Sequence, residues 1–206
     1  MLWKRFRSKG RAVVSFRIQQ QGFTLVELMV TITIAAILLT IGVPSLTSFF
    51  DRQKVVAAAE EAYSAMQLAK GEALSRSQNI YINVEDGINT WSYGFSTSDE
   101  CDSDEETISD SEACYLLIGS DKNLMRWDND NYTGVRLTTY IGDSTAEGTT
   151  KFDYTRGMHE KKADQTGVVR TFVFSYKSLK MAVIINKVGR IRICTPDGSV
   201  GGYETC

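Results

Sequence analysis

Histidine is nearly absent from this chain: His159 is the one example in 206 residues. It has no evident nucleophile partner, which excludes the common hydrolytic triads. A phosphate-binding glycine loop and a C-x-x-C pair are also missing, and His159 is remote in sequence from the cysteines, so a zinc centre lacks its ligand pattern. No long internal repeat is present. No enzyme, cofactor or metal is expected. The first 21 residues contain no acid while carrying Lys4, Arg5, Arg7, Lys9, Arg11 and Arg17, a charge of +6. Beyond them stand 17 basic and 25 acidic residues, a net −8, so affinity for nucleic acid has to come from a local patch and not from overall charge.

What the chain does have is one long apolar run. Residues 22–50 read GFTLVELMVTITIAAILLTIGVPSLTSFF, and residues 23–43 contain a single ionisable side chain, Glu27. At about 1.5 Å per helical residue this stretch covers roughly the 30 Å of a bilayer core. Lys and Arg flanking such a helix are retained on the cytoplasmic side, so everything beyond about Val43 is expected outside the cytoplasm. A removable signal peptide would need a small-residue cleavage site after the run. Residues 40–44, TIGVP, offer none, and the helix is expected to stay. Glu27 lies four residues into the run, where an ionised carboxylate is costly unless something pairs with it.

The string G-F-T-L-V-E-L, with a basic segment before it and an apolar helix behind it, resembles the class III signal of type IV pilins and pseudopilins. The resemblance implies cleavage by a prepilin peptidase between Gly22 and Phe23 and N-methylation of the new amino group on Phe23. It also implies that Glu27 neutralises the terminal amine of a neighbouring subunit during assembly. The expected product is a single-pass protein of the bacterial inner membrane with a periplasmic C-terminal domain, incorporated with other pilins or pseudopilins into a filament.

Pro44 removes a helix hydrogen bond, so a kink or break is expected there. The helix then resumes. Val55, Val56, Ala59, Ala62, Tyr63, Met66, Ala69 and Ala73 recur at three- and four-residue intervals, with Asp51, Arg52, Lys54, Glu60, Glu61 and Lys70 largely on the other side. Such a small, alanine-rich stripe suits packing on a sheet. After residue 77 the period changes. Segments 79–84, 90–96, 114–118, 135–141, 149–155, 168–176, 180–187 and 190–194 are rich in β-branched and aromatic residues and are bounded by Gly, Asp, Asn and Ser, which predicts strands. The fold class is therefore α+β: a long N-terminal helix, half transmembrane and half amphipathic, packed on a mostly antiparallel, pilin-like β domain. The organisation is read as leader 1–22, transmembrane half 23–50, amphipathic half 51–77 and periplasmic β-rich domain 78–206.

Cys101, Cys114, Cys194 and Cys206 suit an oxidising compartment and allow three connectivities. Cys101 with Cys114 and Cys194 with Cys206 is the favoured pairing, because each closes a short polar loop. Between residues 99 and 112 lie eight carboxylates and no base. Calcium takes six to eight oxygens, but the glycine-containing EF-loop pattern is absent here and at Asp128 and Asp130. An acid run of this kind is read as solvated.

Residues 175–192, SYKSLKMAVIINKVGRIR, contain Lys177, Lys180, Lys187, Arg190 and Arg192 and no acid. In a strand Arg190 and Arg192 project together while Ile191 and Ile193 face inward, and Gly189 suits the turn that leads in. Two guanidinium forks side by side match phosphate oxygens. The tetrapeptide G-R-I-R resembles the G-R-x-R motif of the FimT/GspH family of minor pseudopilins, most like its FimT members, which bind DNA in natural transformation. The resemblance implies a minor type IV pilin that takes up double-stranded DNA, largely independently of sequence, through Lys180, Lys187, Gly189, Arg190 and Arg192. The alternative is a GspH-like pseudopilin of a type II secretion system that recognises protein partners. Processing is the first expectation to test: intact-mass measurement on membrane extracts should show loss of residues 1–22, and a mature chain beginning after Val43 would overturn the class III reading.

Overall fold

A computed structural model describes residues 23–85, 90–118, 120–142, 144–145, 148–161 and 166–206. The chain divides into two compact units, Met1–Pro44 and Ser45–Cys206. One helix, α1 (Leu25–Arg76), runs through both. Of the kink or break expected at Pro44, the break is absent: α1 runs as one helix through this position, since proline deletes only one rung of the i→i−4 ladder.

In the first unit α1 is capped by Thr24, whose hydroxyl accepts the Glu27 N–H at 3.2 Å, the first half of a capping box in which Glu27 occupies the acidic third position. Its apolar side chains are exposed, Leu25, Ile32, Leu38 and Ile41 among them. The hydroxyls of Thr31, Thr33 and Thr40 donate to carbonyls three residues back at 2.7–2.8 Å, so they need no water. A helix this long and apolar, with these threonine hydroxyls bonded to its own carbonyls, can cross a bilayer.

In the second unit, the remainder of α1 buries Val55, Ala58, Ala59, Ala62, Ala65, Met66, Ala69 and Ala73. The helix stops where Ser77 takes φ +55° and the Gln78 N–H reaches back to the Ala73 carbonyl at 3.3 Å. Twelve strands are described: β1 (Ile80–Glu85), β2 (Ser92–Ser96), β3 (Tyr115–Ile118), β4 (Asp121–Leu124), β5 (Arg126–Asp128), β6 (Arg136–Ile141), β7 (Ser144–Thr145), β8 (Thr150–Phe152), β9 (His159–Lys161), β10 (Arg170–Tyr176), β11 (Leu179–Ile185) and β12 (Ile191–Cys194). They form two antiparallel five-stranded sheets, in the orders β5-β2-β1-β8-β9 and β12-β11-β10-β6-β7, and a β3-β4 hairpin. The α+β architecture is the expected one, but the β domain is two sheets. Strands β4, β5, β7 and β9 fall outside the expected segments because sequences such as Asp121–Leu124 and His159–Lys161 lack apolar alternation and are drawn into strands by edge pairing.

Both sheets give one face to a single core. The first supplies Ile80, Ile82, Tyr93, Phe95 and Phe152; the second supplies Leu137, Phe172, Phe174, Met181, Val183 and Ile185. Trp91 stacks on Tyr93 and donates its Nε1–H to the Val135 carbonyl at 2.8 Å, tying the two layers together. Cys101 is bonded to Cys114 and Cys194 to Cys206.

His159 is fully buried against the Phe152 ring, 5.4 Å between centroids, and its Nδ1–H donates to the Val168 carbonyl at 2.9 Å. Burial, with the nearby Arg170 charge adding to it, lowers its pKa to about 4. Between that value and the ordinary 6.5 the unfolded chain binds a proton that the folded chain does not. Stability therefore rises with pH across this window, and acidification from above 6.5 to below 4 is expected to cost up to about 3 kcal/mol through this group. Urea unfolding at pH 4, 5.5 and 7.5 checks it: a His159→Gln variant should be less pH-sensitive than the wild type, and equal slopes would clear His159 of the effect.

Candidate nucleic-acid interface

Residues 186–190, N-K-V-G-R, join β11 to β12. The Gly189 N–H donates to the Asn186 carbonyl at 2.8 Å, and Asn186 holds Arg190 twice: its N–H donates to the Arg190 carbonyl at 3.0 Å and its Oδ1 accepts the Arg190 N–H at 2.8 Å. Gly189 has φ +72°, and a Cβ there would lie 1.8 Å from the Gly157 carbonyl oxygen. Conformation and space thus both demand glycine. The turn is further fixed by Lys70 of α1, whose ammonium donates to the Gly189 carbonyl at 2.9 Å, and by the His159 N–H, which donates to the Lys187 carbonyl at 3.2 Å.

This turn launches β12 with Arg190 and Arg192 on one face. Both are exposed, while Ile191 between them is buried. Together with Asn186 and Glu204 they line one depression of about 370 Å³. The Arg190 guanidinium has no protein partner among the described residues, and Arg192 Nη2 lies 3.4 Å from the Cys206 carbonyl oxygen. Lys187, also exposed, sits at the start of the turn.

The other expected bases are placed differently. Lys180 is four residues from Ile184, the cross-strand neighbour of Arg192, or about 13 Å along the strand. Its ammonium lies 3.7 Å from Asp197. The Ser199 hydroxyl and N–H hold the Asp197 carboxyl below the ordinary carboxylate range, so it stays ionised beside Lys180. Lys177 is bonded to Asp51 of α1. The core of the site is therefore Lys187, Arg190 and Arg192, with Lys180 at a distance. The tail after β12 is pinned to the fold: the Thr195 N–H donates to the Glu204 carbonyl at 2.9 Å, Arg52 to the Gly201 carbonyl and the Tyr203 hydroxyl to Glu60.

Of the N-terminal positions, Gly22 lies outside the described residues, Phe23 is exposed, and Glu27 is exposed on the first turn of α1. Glu106, Asp128 and Asp130 converge within 4.8 Å. Arg126, bonded to Asp128 and 3.5 Å from Glu106, already supplies a positive charge there. Sequence reasoning missed Arg136, which lies on the same outer sheet face as Lys180. The signal available was the alternation of β6, R-L-T-T-Y-I, read together with its pairing partner.

Comparison with known proteins defines the class first. Residues 17–43 match the prokaryotic N-terminal methylation motif, so the apolar helix carries the anchor signal of type IV pilin-like proteins. Residues 58–189 match type II transport protein GspH, and the chain belongs to that family of minor pilin- and pseudopilin-like components. The family match ends before Arg190 and Arg192. Similar solved structures include the type IV minor pilin FimU of Pseudomonas aeruginosa PAO1, at 19% identity over 75% of this chain and 98% of that one with a TM-score of 0.46. The minor pseudopilin EpsH of the type 2 secretion system of Vibrio cholerae is another, at 12% identity over 69% and 98% with a TM-score of 0.44. No curated protein matches the chain.

The packing of Gly189 gives a direct test. Gly189→Ala forces a left-handed alanine against a carbonyl oxygen and is expected to cost about 2 kcal/mol or more. For a unit of this size that lowers the melting temperature by roughly 4–8 °C. An unchanged melting temperature would show that the turn is not held as described.

Proposed function

We propose that this protein is a minor type IV pilin that assembles into a pilus and binds double-stranded DNA through Lys187, Arg190 and Arg192 for uptake in natural transformation. The observation that carries the reading is the pair of exposed arginines, Arg190 ending a glycine turn that the fold locks in place and Arg192 two residues on in β12. Two adjacent guanidiniums in an acidic domain bind phosphate oxygens by charge and fork geometry while reading no base. On the same reading, residues 1–22 are the leader removed by a prepilin peptidase, 23–50 span the inner membrane, 51–77 form the amphipathic half of the helix and 78–206 lie in the periplasm. Glu27, on the first helical turn with no ion-pair partner among the described residues, is the group that meets a neighbouring subunit's terminal amine.

A second reading, a pseudopilin of a type II secretion system that recognises protein, draws support from the family match itself. DNA titration separates the two. With two to four phosphates contacted, log affinity is expected to fall against log salt with a slope of about −2 to −4. Arg190→Ala with Arg192→Ala should remove measurable binding and leave the melting temperature within a degree or two, both side chains being exposed. Undiminished binding by the folded double variant would remove the arginines from the site, and absence of binding by the wild type at low salt would favour the secretion reading.

A further inference from the structure

The outer face of the second sheet is ordered by its pairing register. One rung runs Arg136–Ser175–Lys180 across β6, β10 and β11. The next runs Thr138–Val173–Ala182–Cys194, and the third Tyr140–Thr171–Ile184–Arg192. Their opposite faces are spent on the core, so these side chains point outward.

These rungs floor a depression of about 560 Å³, which shares Ile184 with the depression holding Arg190 and Arg192. On its other side it shares Gly142 with a third depression, lined by Lys161 and Lys187. The three adjoin across the sheet. Among the described residues their charged lining consists of Arg136, Lys161, Lys180, Lys187, Arg190 and Arg192, against the acid Glu204, with Asp197 standing beside Lys180. In a chain whose residues beyond the leader sum to −8, six bases to two acids among the described residues of one face is a local inversion of sign.

We infer that Arg136 is a second phosphate contact and that DNA lies across this face from Arg190 and Arg192 to Arg136. The inference rests on the DNA-binding reading above and extends its site beyond the β11–β12 edge. Arg136 is exposed and has no protein partner among the described residues. It stands three strands and two rungs from Arg192, about 20 Å at 4.8 Å per strand and 3.4 Å per residue. That distance corresponds to about six base-pair steps, within the reach of one short duplex. Between the two poles the floor offers the hydroxyls of Thr138, Tyr140 and Thr171 to phosphate oxygens, and its described lining carries no Asp or Glu side chain. Lys180 contributes less than Arg136, because Asp197 already accompanies it.

The test uses the full chain in nanodiscs of zwitterionic lipid and a labelled 30-base-pair duplex, titrated at several salt concentrations. Arg136→Gln is expected to make the salt slope shallower by about 0.9, equivalent to roughly eightfold weaker binding at 0.1 M salt relative to 1 M. Lys122→Gln, on the β3–β4 hairpin outside this face, should leave the slope unchanged. A photo-crosslinking residue at position 140 should capture the duplex in the wild-type background and much less in the Arg190→Ala, Arg192→Ala variant. If the double variant loses binding while Arg136→Gln keeps affinity and slope and position 140 fails to crosslink, the extended face is wrong and the arginine pair stands. If the wild type binds no duplex even at low salt, the DNA-binding reading itself falls. Equal slope changes for Lys122→Gln and Arg136→Gln would reduce the effect to diffuse charge and overturn the contact.

Discussion

The burial of an alanine-rich helix face in one core with the large side chains of two sheets is the constraint on which the second unit depends. Ala58, Ala59, Ala62, Ala69 and Ala73 are fully buried, so the helix brings backbone and little side-chain volume to the contact. The volume comes from the sheets, as Trp91, Tyr93, Phe95, Phe152, Phe172 and Phe174. Because that core consumes one face of each sheet, the two-residue period of a strand fixes what the other face shows. A one-residue slip of β12 would bury Arg192 and expose Ile191. Hydrophobic burial, which carries no charge information, thereby decides where the cations stand.

One helix meets two solvents by changing composition along its length. Over its first turns the large aliphatic side chains point outward and three threonine hydroxyls are satisfied by the helix's own carbonyls, an arrangement suited to lipid. Further along, the outward positions are taken by Glu60, Gln67 and Gly71 while small residues turn inward. Glu27 belongs to the first regime by position and breaks it by charge. Its N–H is bonded to Thr24, and a carboxylate in the first helical turn is favoured by the helix dipole, which offsets part of its cost in the monomer.

Much of this was legible in the sequence. The apolar run, the three- and four-residue spacing of residues 55–73 and the alternation around Phe172 and Phe174 each mark a dominant hydrophobic pattern, and they lie in helix, helix and strand as expected. Where burial is not the organising force, the sequence was silent. His159–Lys161 is a strand because it pairs with β8 at a sheet edge, and nothing in H-E-K announces that. A kink or break was expected at Pro44, and the helix is not broken there, because one missing rung is a local loss in a helix of 52 residues. Within the candidate site, Arg190 and Arg192 were readable because they stand two residues apart in one tetrapeptide, G-R-I-R. Arg136 was not, since its neighbourhood with Lys180 runs through Ser175 and exists only after three strands have paired in register.

The charge pattern also bears on strength of binding. Physiological salt screens exposed charges beyond about 8 Å, so on the proposed DNA-binding reading carboxylates on other faces of the domain would oppose a seated duplex weakly, though they would slow its approach. The acidic segment between Cys101 and Cys114 is further restrained by its disulfide, and Glu106 lies near Arg126 and away from the basic face. A handful of exposed cations would then give a contact that is weak, indifferent to sequence and easily released. Weak single contacts gain from repetition: several copies along one filament would hold a long polyanion through effective concentration, with no single copy too tight to let go. Such a site needs no deep pocket and no reactive group. It needs arginines held at fixed spacing on a rigid sheet, and the Gly189 turn, clamped between Lys70 and Gly157, fixes the origin of that spacing.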